Sequence, residues 1–453
     1  MNVISKKARP SVRADFVPAD GYVSPEIVQL EKDKLWPRVW LIAAREQQLK
    51  QPGDFVRFDI ADESIVILRN RESALRAYYN VCQHRGRRLV DAESGNLGSQ
   101  FICRFHAWRY DLEGVPTYIR NKEDWENCEN FSESALSLKR VRVDTWAGWI
   151  WITMDPDIED LASYLDPIPK LYKNYEFEDC RIGWYKTVVT PCNWKTVMDA
   201  FNEGYHAEGT HPQMAKYGGT NMRQPAVAVG RHTCIQVNRN DTSTEGSVLR
   251  QSSRDLRVHL FAIGRELQGS LHALYTEHFV AAAKRLEQEL SETSSPSEVM
   301  QSFKRFHQEE MERVGAKWPS ITDVEVNEAG GTWHIFPNTI VLSAFDGALW
   351  YRARPNGNDP DSCLFDIWWL GRYAEGKEPP LQHDLYENPS EFSGQNPFLE
   401  QDFGNLGSVQ LGMKSRGFSG GRTSPVQEVA VSHLHDVLYD YIFDDARTWY
   451  RRN

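Results

Sequence analysis

Two cysteine–histidine pairs constrain this chain more than any other feature. Cys82 and His84 lie in NVCQHRGRRL, Cys103 and His106 in ICRFHAWRY, and eighteen residues separate the pairs. With 13 His in 453 residues, a Cys meets a His at a given offset with ~3% probability, so both patterns together arise by chance about 0.04 times. Two Cys and two His in two short loops are therefore read as a metal site. The other five cysteines, Cys128, Cys180, Cys192, Cys234 and Cys363, sit in no reactive motif and are expected to be buried small apolar residues.

The texture around these loops is that of a small all-β unit. Short strand-like runs at 55–60, 64–68 and 75–79 are separated by Gly53, Asp62 and Asn70, and an aromatic, largely alternating run covers 141–154. The expected organisation is a leader over 1–37, with a helix over 25–35 started by Ser24 and Pro25, and a metal-binding β domain over 38–155. A Pro-rich linker follows, inside the start of a larger α+β domain over 156–453. That domain should carry a strand at 184–190 and a helix at 193–206. A charged helical stretch at 254–315 is broken by SETSSPSE, long strands run between 331 and 373, and helices return at 397–413 and 424–442.

Charge and hydropathy remove other classes. A net charge of −11 disfavours a nucleic-acid binder, which needs a basic surface. The longest apolar run, 146–154, is about half the ~20 residues of a spanning helix. The basic start MNVISKKARPSVRADF has no apolar h-region, so the expectation is a cytoplasmic enzyme with reduced thiols.

Composition leaves zinc and iron–sulfur both open, since each accepts two Cys and two His. The arrangement favours the second. Each loop supplies one Cys and one His, as in a Rieske [2Fe–2S] centre, whereas a zinc finger usually pairs Cys with Cys and His with His. YNVCQHRGRRL and CRFHAWRYDLEG resemble the loops of Rieske non-haem iron oxygenases, the aromatic-ring-hydroxylating dioxygenase α subunits. Phe105-His106-Ala107-Trp108 stands where the family usually has Tyr-His-Gly-Trp. The resemblance implies that Cys82, His84, Cys103 and His106 bind the cluster.

An oxygenase of this type needs a second metal, commonly Fe(II) held by two His and one carboxylate. His206-x4-His211 is weak evidence by spacing alone. Its setting, NWKTVMDAFNEGYHAEGTHPQM, resembles the family's iron loop, which implies His206 and His211 as ligands. FLEQDFGNLGSVQLGMKS resembles the late helix that supplies the Asp, which implies Asp402; Asp359, Asp361 and Asp366 are its rivals. Glu203 stands where the family usually has the Asp that bridges cluster and iron between subunits, and Asp199 where it often has Asn. The resemblance implies Glu203 and Asp199 as catalytic; on a continuous helix 199, 203 and 206 share a face. The bland alternative is a solvated face paired to Lys195.

The resemblance implies an α+β, helix-grip-like catalytic domain behind the all-β Rieske domain. It implies electrons from NAD(P)H through a reductase and possibly a ferredoxin, passing between subunits of a homotrimer or α3β3 oligomer. The first expectation is cis-dihydroxylation of an aromatic compound. The alternative is monooxygenation or O/N-demethylation at the same iron. Outside the class stands a non-catalytic metal-binding or electron-transfer protein, with no metal at His206 and His211.

Overall fold

A computed structural model describes residues 8–125, 127–213, 223–236, 255–271 and 273–443. Two compact units form: residues 31–165, and the described residues of 1–30 together with 166–453.

The smaller unit is built on seven strands in the order Leu41–Arg45, Trp149–Thr153, Arg140–Trp146, Leu75–Tyr79, Glu63–Arg69, Asp54–Ile60 and Ser94–Asn96. Neighbours are antiparallel. The aromatic run expected near its end becomes a hairpin that turns at Ala147 (φ +57°) and Gly148 (φ +72°). Two successive positive φ values give the turn that matches strand twist. Gly148 is needed for a second reason, because a Cβ there would lie 2.7 Å from the buried Arg45 guanidinium. A separate three-stranded sheet, Gln100–Ile102, Arg109–Asp111 and Pro116–Tyr118, carries the second Cys–His loop between its first two strands.

The larger unit has eight strands in the order Ala226–Val229, His232–Ile235, Thr332–Ile335, Thr339–Ser343, Gly347–Pro355, Cys363–Gly371, Arg181–Thr190 and His383–Tyr386. All pairs are antiparallel except the last, which is parallel. The sheet packs against helices Trp194–Phe201, Pro397–Met413 and Val429–Ile442. The α+β arrangement of sheet and helices is present.

Three boundaries differ from the sequence expectation. The leader is not separate: Val17–Pro18 pairs with Gly420–Gly421, and Tyr22 and Val17 share a buried cluster with Val431. The Pro-rich 155–169 stretch is not a bare linker. Helix Leu161–Leu165 buries Leu161, Tyr164 and Leu165 in the smaller unit, and helix Ile168–Leu171 opens the larger one. The helix expected over 193–206 ends at Phe201. The charged 254–315 stretch becomes helices Leu256–Leu267, Glu277–Glu289 and Pro296–Arg313 around Leu260, Leu286, Phe303 and Phe306. The Ser-rich break starts the third: Ser295 and Glu298 form a capping box ahead of Pro296.

Candidate metal centres

The two Cys–His loops share one backbone frame. Cys82 N–H donates to the Arg87 carbonyl and Gly86 N–H to the Cys82 carbonyl (2.9 and 3.0 Å). Cys103 N–H donates to the Trp108 carbonyl and Ala107 N–H to the Cys103 carbonyl (2.9 Å each). Each loop turns through one left-handed residue, Gly86 at φ +75° and Ala107 at φ +58°. Matching frames bring both thiols inside, with Cys82 and Cys103 each 2% exposed. The two imidazoles stand together, ring centroids 4.4 Å apart.

His84 lies flat on Trp108 (4.8 Å, 8°), and Trp125 and Phe131 pack edge-on behind the indole. The Tyr110 hydroxyl sits 3.4 Å from Cys82 Sγ and accepts from Gln83 N–H. Burial, with His106 and Arg85 nearby, pushes the His84 pKa down, favouring the neutral form that ligates metal. Burial pushes the Cys82 thiol up, so a thiolate there requires a cation beside it. Nδ1 of His84 and Nδ1 of His106 are buried without a hydrogen-bond partner. Buried polar atoms are normally satisfied. Two orphaned ring nitrogens beside two buried thiols are the donor set a [2Fe–2S] cluster requires, so the residues fit the group.

The second centre is built on three segments. Asn193 caps helix Trp194–Phe201, its side chain accepting from Lys195 N–H (3.1 Å). After Phe201 the chain turns at Asn202–Gly204. A Cβ on Gly204 would lie 2.3 Å from Gln224 Oε1, so a larger residue there requires the Gln224 side chain to move. His206 and His211 flank the short helix Ala207–Thr210. Asp402 faces them from helix Pro397–Met413, which Asn396 caps. One ligand atom from each of His206, His211 and Asp402 lies within 4.8 Å of the others. Asp402 Oδ1 is 3.2 Å from His211 Nε2 and 3.7 Å from His206 Nε2. His211 Nε2 and Asp402 Oδ2 are buried without hydrogen bonds. The set matches the two-His, one-carboxylate pattern of non-haem Fe(II), and it too fits its group.

Around these three, Glu203 holds His206 twice: Oε1 lies 2.8 Å from Nδ1, and Oε2 accepts from the backbone N–H at 3.0 Å. Burial lowers the His206 pKa, but the Glu203 hydrogen bond and the charges of Glu203 and Asp402 outweigh it, and the net shift is upward. Three neighbours were not expected from the sequence. Phe398 stacks on His211 at 3.6 Å. The Gln401 side chain sits on His211 Nδ1. Tyr351 is buried near Asp402, and burial with that charge pushes its phenol pKa up, keeping it protonated. Tyr351 also packs with Phe201 and Phe365 as an aromatic cluster.

The acidic stripe expected on one helix face does not form, because the helix stops before Glu203. Asp199 instead receives the Tyr22 hydroxyl and lies 3.2 Å from His435 Nε2, while Lys195 is fully buried over the Trp194 ring. The rivals to Asp402 are engaged elsewhere. Asp366 is fully buried against Arg352, Arg354 and Thr187. Asp361 pairs with Lys414 and Gln410, and Asp359 accepts from the Asp361 amide in the same turn.

Residues 177–443 match the family model of the ring-hydroxylating α subunit catalytic domain, more than half the chain, and residues 39–131 match the Rieske [2Fe–2S] domain. The chain belongs to the Rieske oxygenase α-subunit family. Its [2Fe–2S] domain is the unit bearing Cys82, His84, Cys103 and His106. Among relatives of this Rieske oxygenase, the carnitine monooxygenase oxygenase subunit of Escherichia coli (strain K12) is 34% identical over 201 residues, 43% of this chain and 52% of that protein. The glycine betaine monooxygenase oxygenase subunit of Pseudomonas aeruginosa is 26% identical over 200 residues, 44% and 46% of the two chains. Benzene 1,2-dioxygenase subunit alpha of Pseudomonas putida is 30% identical over 195 residues, 42% of each. The aligned stretch thus spans about half the length of these curated relatives. A quaternary ammonium Rieske monooxygenase solved with L-carnitine shares the fold at a TM-score of 0.62 and 19% identity, covering 95% of this chain and 97% of that one. Among the described residues no helix is long and apolar enough to cross a membrane.

Proposed function

We propose that this chain is the oxygenase component of a Rieske system that monooxygenates a small quaternary ammonium compound. In this reading Cys82, His84, Cys103 and His106 hold the [2Fe–2S] cluster, and His206, His211 and Asp402 hold a mononuclear iron. The convergence of His206, His211 and Asp402 on one point carries the proposal. The bound Fe(II) supplies O2 activation, with electrons from NAD(P)H arriving by way of a reductase and the cluster.

The protein's own part is positioning. Glu203 Oε1 accepts the Nδ1–H hydrogen bond of His206 and leaves Nε2 facing Asp402. Such carboxylate partners orient a ligand and raise its basicity. Oε2 accepts from the His206 backbone amide; Glu203 serves as the bridge in a trimer by exchanging that bond for one to a cluster histidine of a second copy. Asp199 anchors Tyr22 and His435.

The carnitine and glycine betaine relatives favour monooxygenation over the cis-dihydroxylation first expected from the sequence. The chemistry agrees. Ring faces attract methylated ammonium groups, and Tyr351, which packs with Phe201 and Phe365, feels the Asp402 charge. Hydroxylating a carbon on the cationic nitrogen consumes O2, two electrons and two protons, and releases one water. The benzene dioxygenase relative supports a second reading, dihydroxylation of an arene against the same aromatic cluster.

The test is turnover of the reconstituted enzyme with NADH and a reductase on carnitine, glycine betaine, benzene and naphthalene, scored by mass. Gain of one oxygen or loss of a methyl group from the ammonium compounds is expected. Gain of two oxygens and two hydrogens on an arene, with the ammonium compounds untouched, overturns the proposal in favour of the second reading.

A further inference from the structure

We infer that Gln401, clipped to Gln213, is a positioning residue that fixes the tautomer of His211 and thereby the affinity of the iron site. The inference rests on reading His206, His211 and Asp402 as iron ligands.

The two site histidines have unlike partners. His206 is held by the Glu203 carboxylate. His211 has no carboxylate on Nδ1; that nitrogen lies 2.7 Å from Gln401 Oε1. A neutral imidazole carries one N–H. With Nδ1 donating to an amide oxygen, Nε2 is left as a lone pair, and Nε2 lies 3.2 Å from Asp402 Oδ1 with no hydrogen bond of its own. Phe398 stacks on one face of the ring at 3.6 Å.

The orientation of Gln401 matters, because an amide turned over presents Nε2 and forces the opposite tautomer. Gln213 opposes a turn of Gln401 alone, which would set amine against amine and oxygen against oxygen; only a concerted turn of both side chains keeps the pair. Gln213 Nε2 donates to Gln401 Oε1 at 2.9 Å, and Gln401 Nε2 donates back to Gln213 Oε1 at 3.1 Å. The pair is reciprocal and uncharged, and Gln401 Oε1 accepts from both Gln213 and His211. Gln401 adjoins Asp402 in helix Pro397–Met413, and Gln213 follows His211 by two residues. One amide pair therefore ties the segment carrying a histidine ligand to the helix carrying the carboxylate. It does so without adding a third negative charge to Glu203 and Asp402.

The test measures Fe(II) binding by chelator competition in protein stripped of mononuclear iron but retaining the visible cluster spectrum. Gln401→Leu is expected to bind Fe(II) about 10–100-fold more weakly than wild type. Gln401→Glu, which can only accept from Nδ1, should bind at least as tightly as wild type. Gln213→Leu should lose less than Gln401→Leu. A Gln401→Leu variant indistinguishable from wild type, or a Gln401→Glu variant as weak as Gln401→Leu, overturns the inference. Should Gln401→Leu fail to fold, Gln401→Glu and Gln213→Leu decide: a Glu variant weaker than wild type, or an unaffected Gln213→Leu, overturns it. His211→Ala is the reference. If it binds iron as well as wild type, the ligand assignment itself has failed, and the outcome is distinct from failure of the clip.

Discussion

Ala107 is the residue at which this chain departs most plainly from an economical loop. Its counterpart in the first loop is Gly86, and both are left-handed. For a residue with a Cβ that conformation costs about 1–2 kcal/mol. Ala107→Gly is therefore expected to stabilise the cluster-bearing unit by about 1 kcal/mol, read as a higher urea midpoint with the cluster spectrum unchanged. An unchanged or lower midpoint would show that the methyl group contributes packing that offsets the strain. The two Cys–His loops were legible because their spacing is local: two loops of six residues each hold their own Cys and His. Asp366 was a credible rival because it lies in an apolar strand. What excludes it is Arg352, on the neighbouring strand and 2.7 Å away, a partner that no spacing along the chain reveals. Gln401 was missed because an amide carries no metal-ligand signature, although it adjoins the aspartate that does.

Among the elements, the apolar pattern decided what could be read. The long apolar strands and the helix carrying Asp402 lie where their patterns place them. The strands Ala226–Val229, His232–Ile235 and His383–Tyr386 are four residues each and were not expected, whereas Thr332–Ile335, equally short, lies within the apolar 331–373 run. The iron loop shows the opposite error. Its helical pattern continues to His206, but the Asn202–Gly204 turn ends the helix, and Glu203 reaches His206 by a local contact rather than along a helix face. The inserted three-helix bundle has a core of its own, and His307 ties it to Asp346 at 2.8 Å. Leu286 is fully buried there. Leu286→Ala should cost about 2–5 kcal/mol, seen as a lower unfolding midpoint. A loss well below that range would mean the bundle collapses around the gap or unfolds apart from the sheet.

At the scale of the whole molecule, acid stability separates two buried groups. His334 Nε2 donates to the Pro337 carbonyl, and burial lowers the ring's pKa to about 4. An unfolded His binds its proton below about pH 6.5. Between about 6.5 and 4 the unfolded chain therefore binds a proton that the folded chain does not, and stability falls as pH falls through that window. The contribution is fully present above 6.5, and its loss amounts to about 3 kcal/mol. Asp366, which Arg352 and Arg354 hold well below the usual carboxylate range despite its burial, contributes stability that is lost only at lower pH. His334→Gln should therefore flatten the urea midpoint between pH 7 and 5 relative to wild type; identical slopes would remove His334 from the account.

Metal content decides whether one chain carries two distinct iron centres. Anaerobically purified protein should hold about three irons per chain, two in the cluster and one at His206, His211 and Asp402, with negligible zinc. His206→Ala should retain about two irons and an unchanged visible cluster spectrum while turnover is abolished. Stoichiometric zinc in place of iron, or a His206→Ala protein with the full wild-type iron content, would contradict the account.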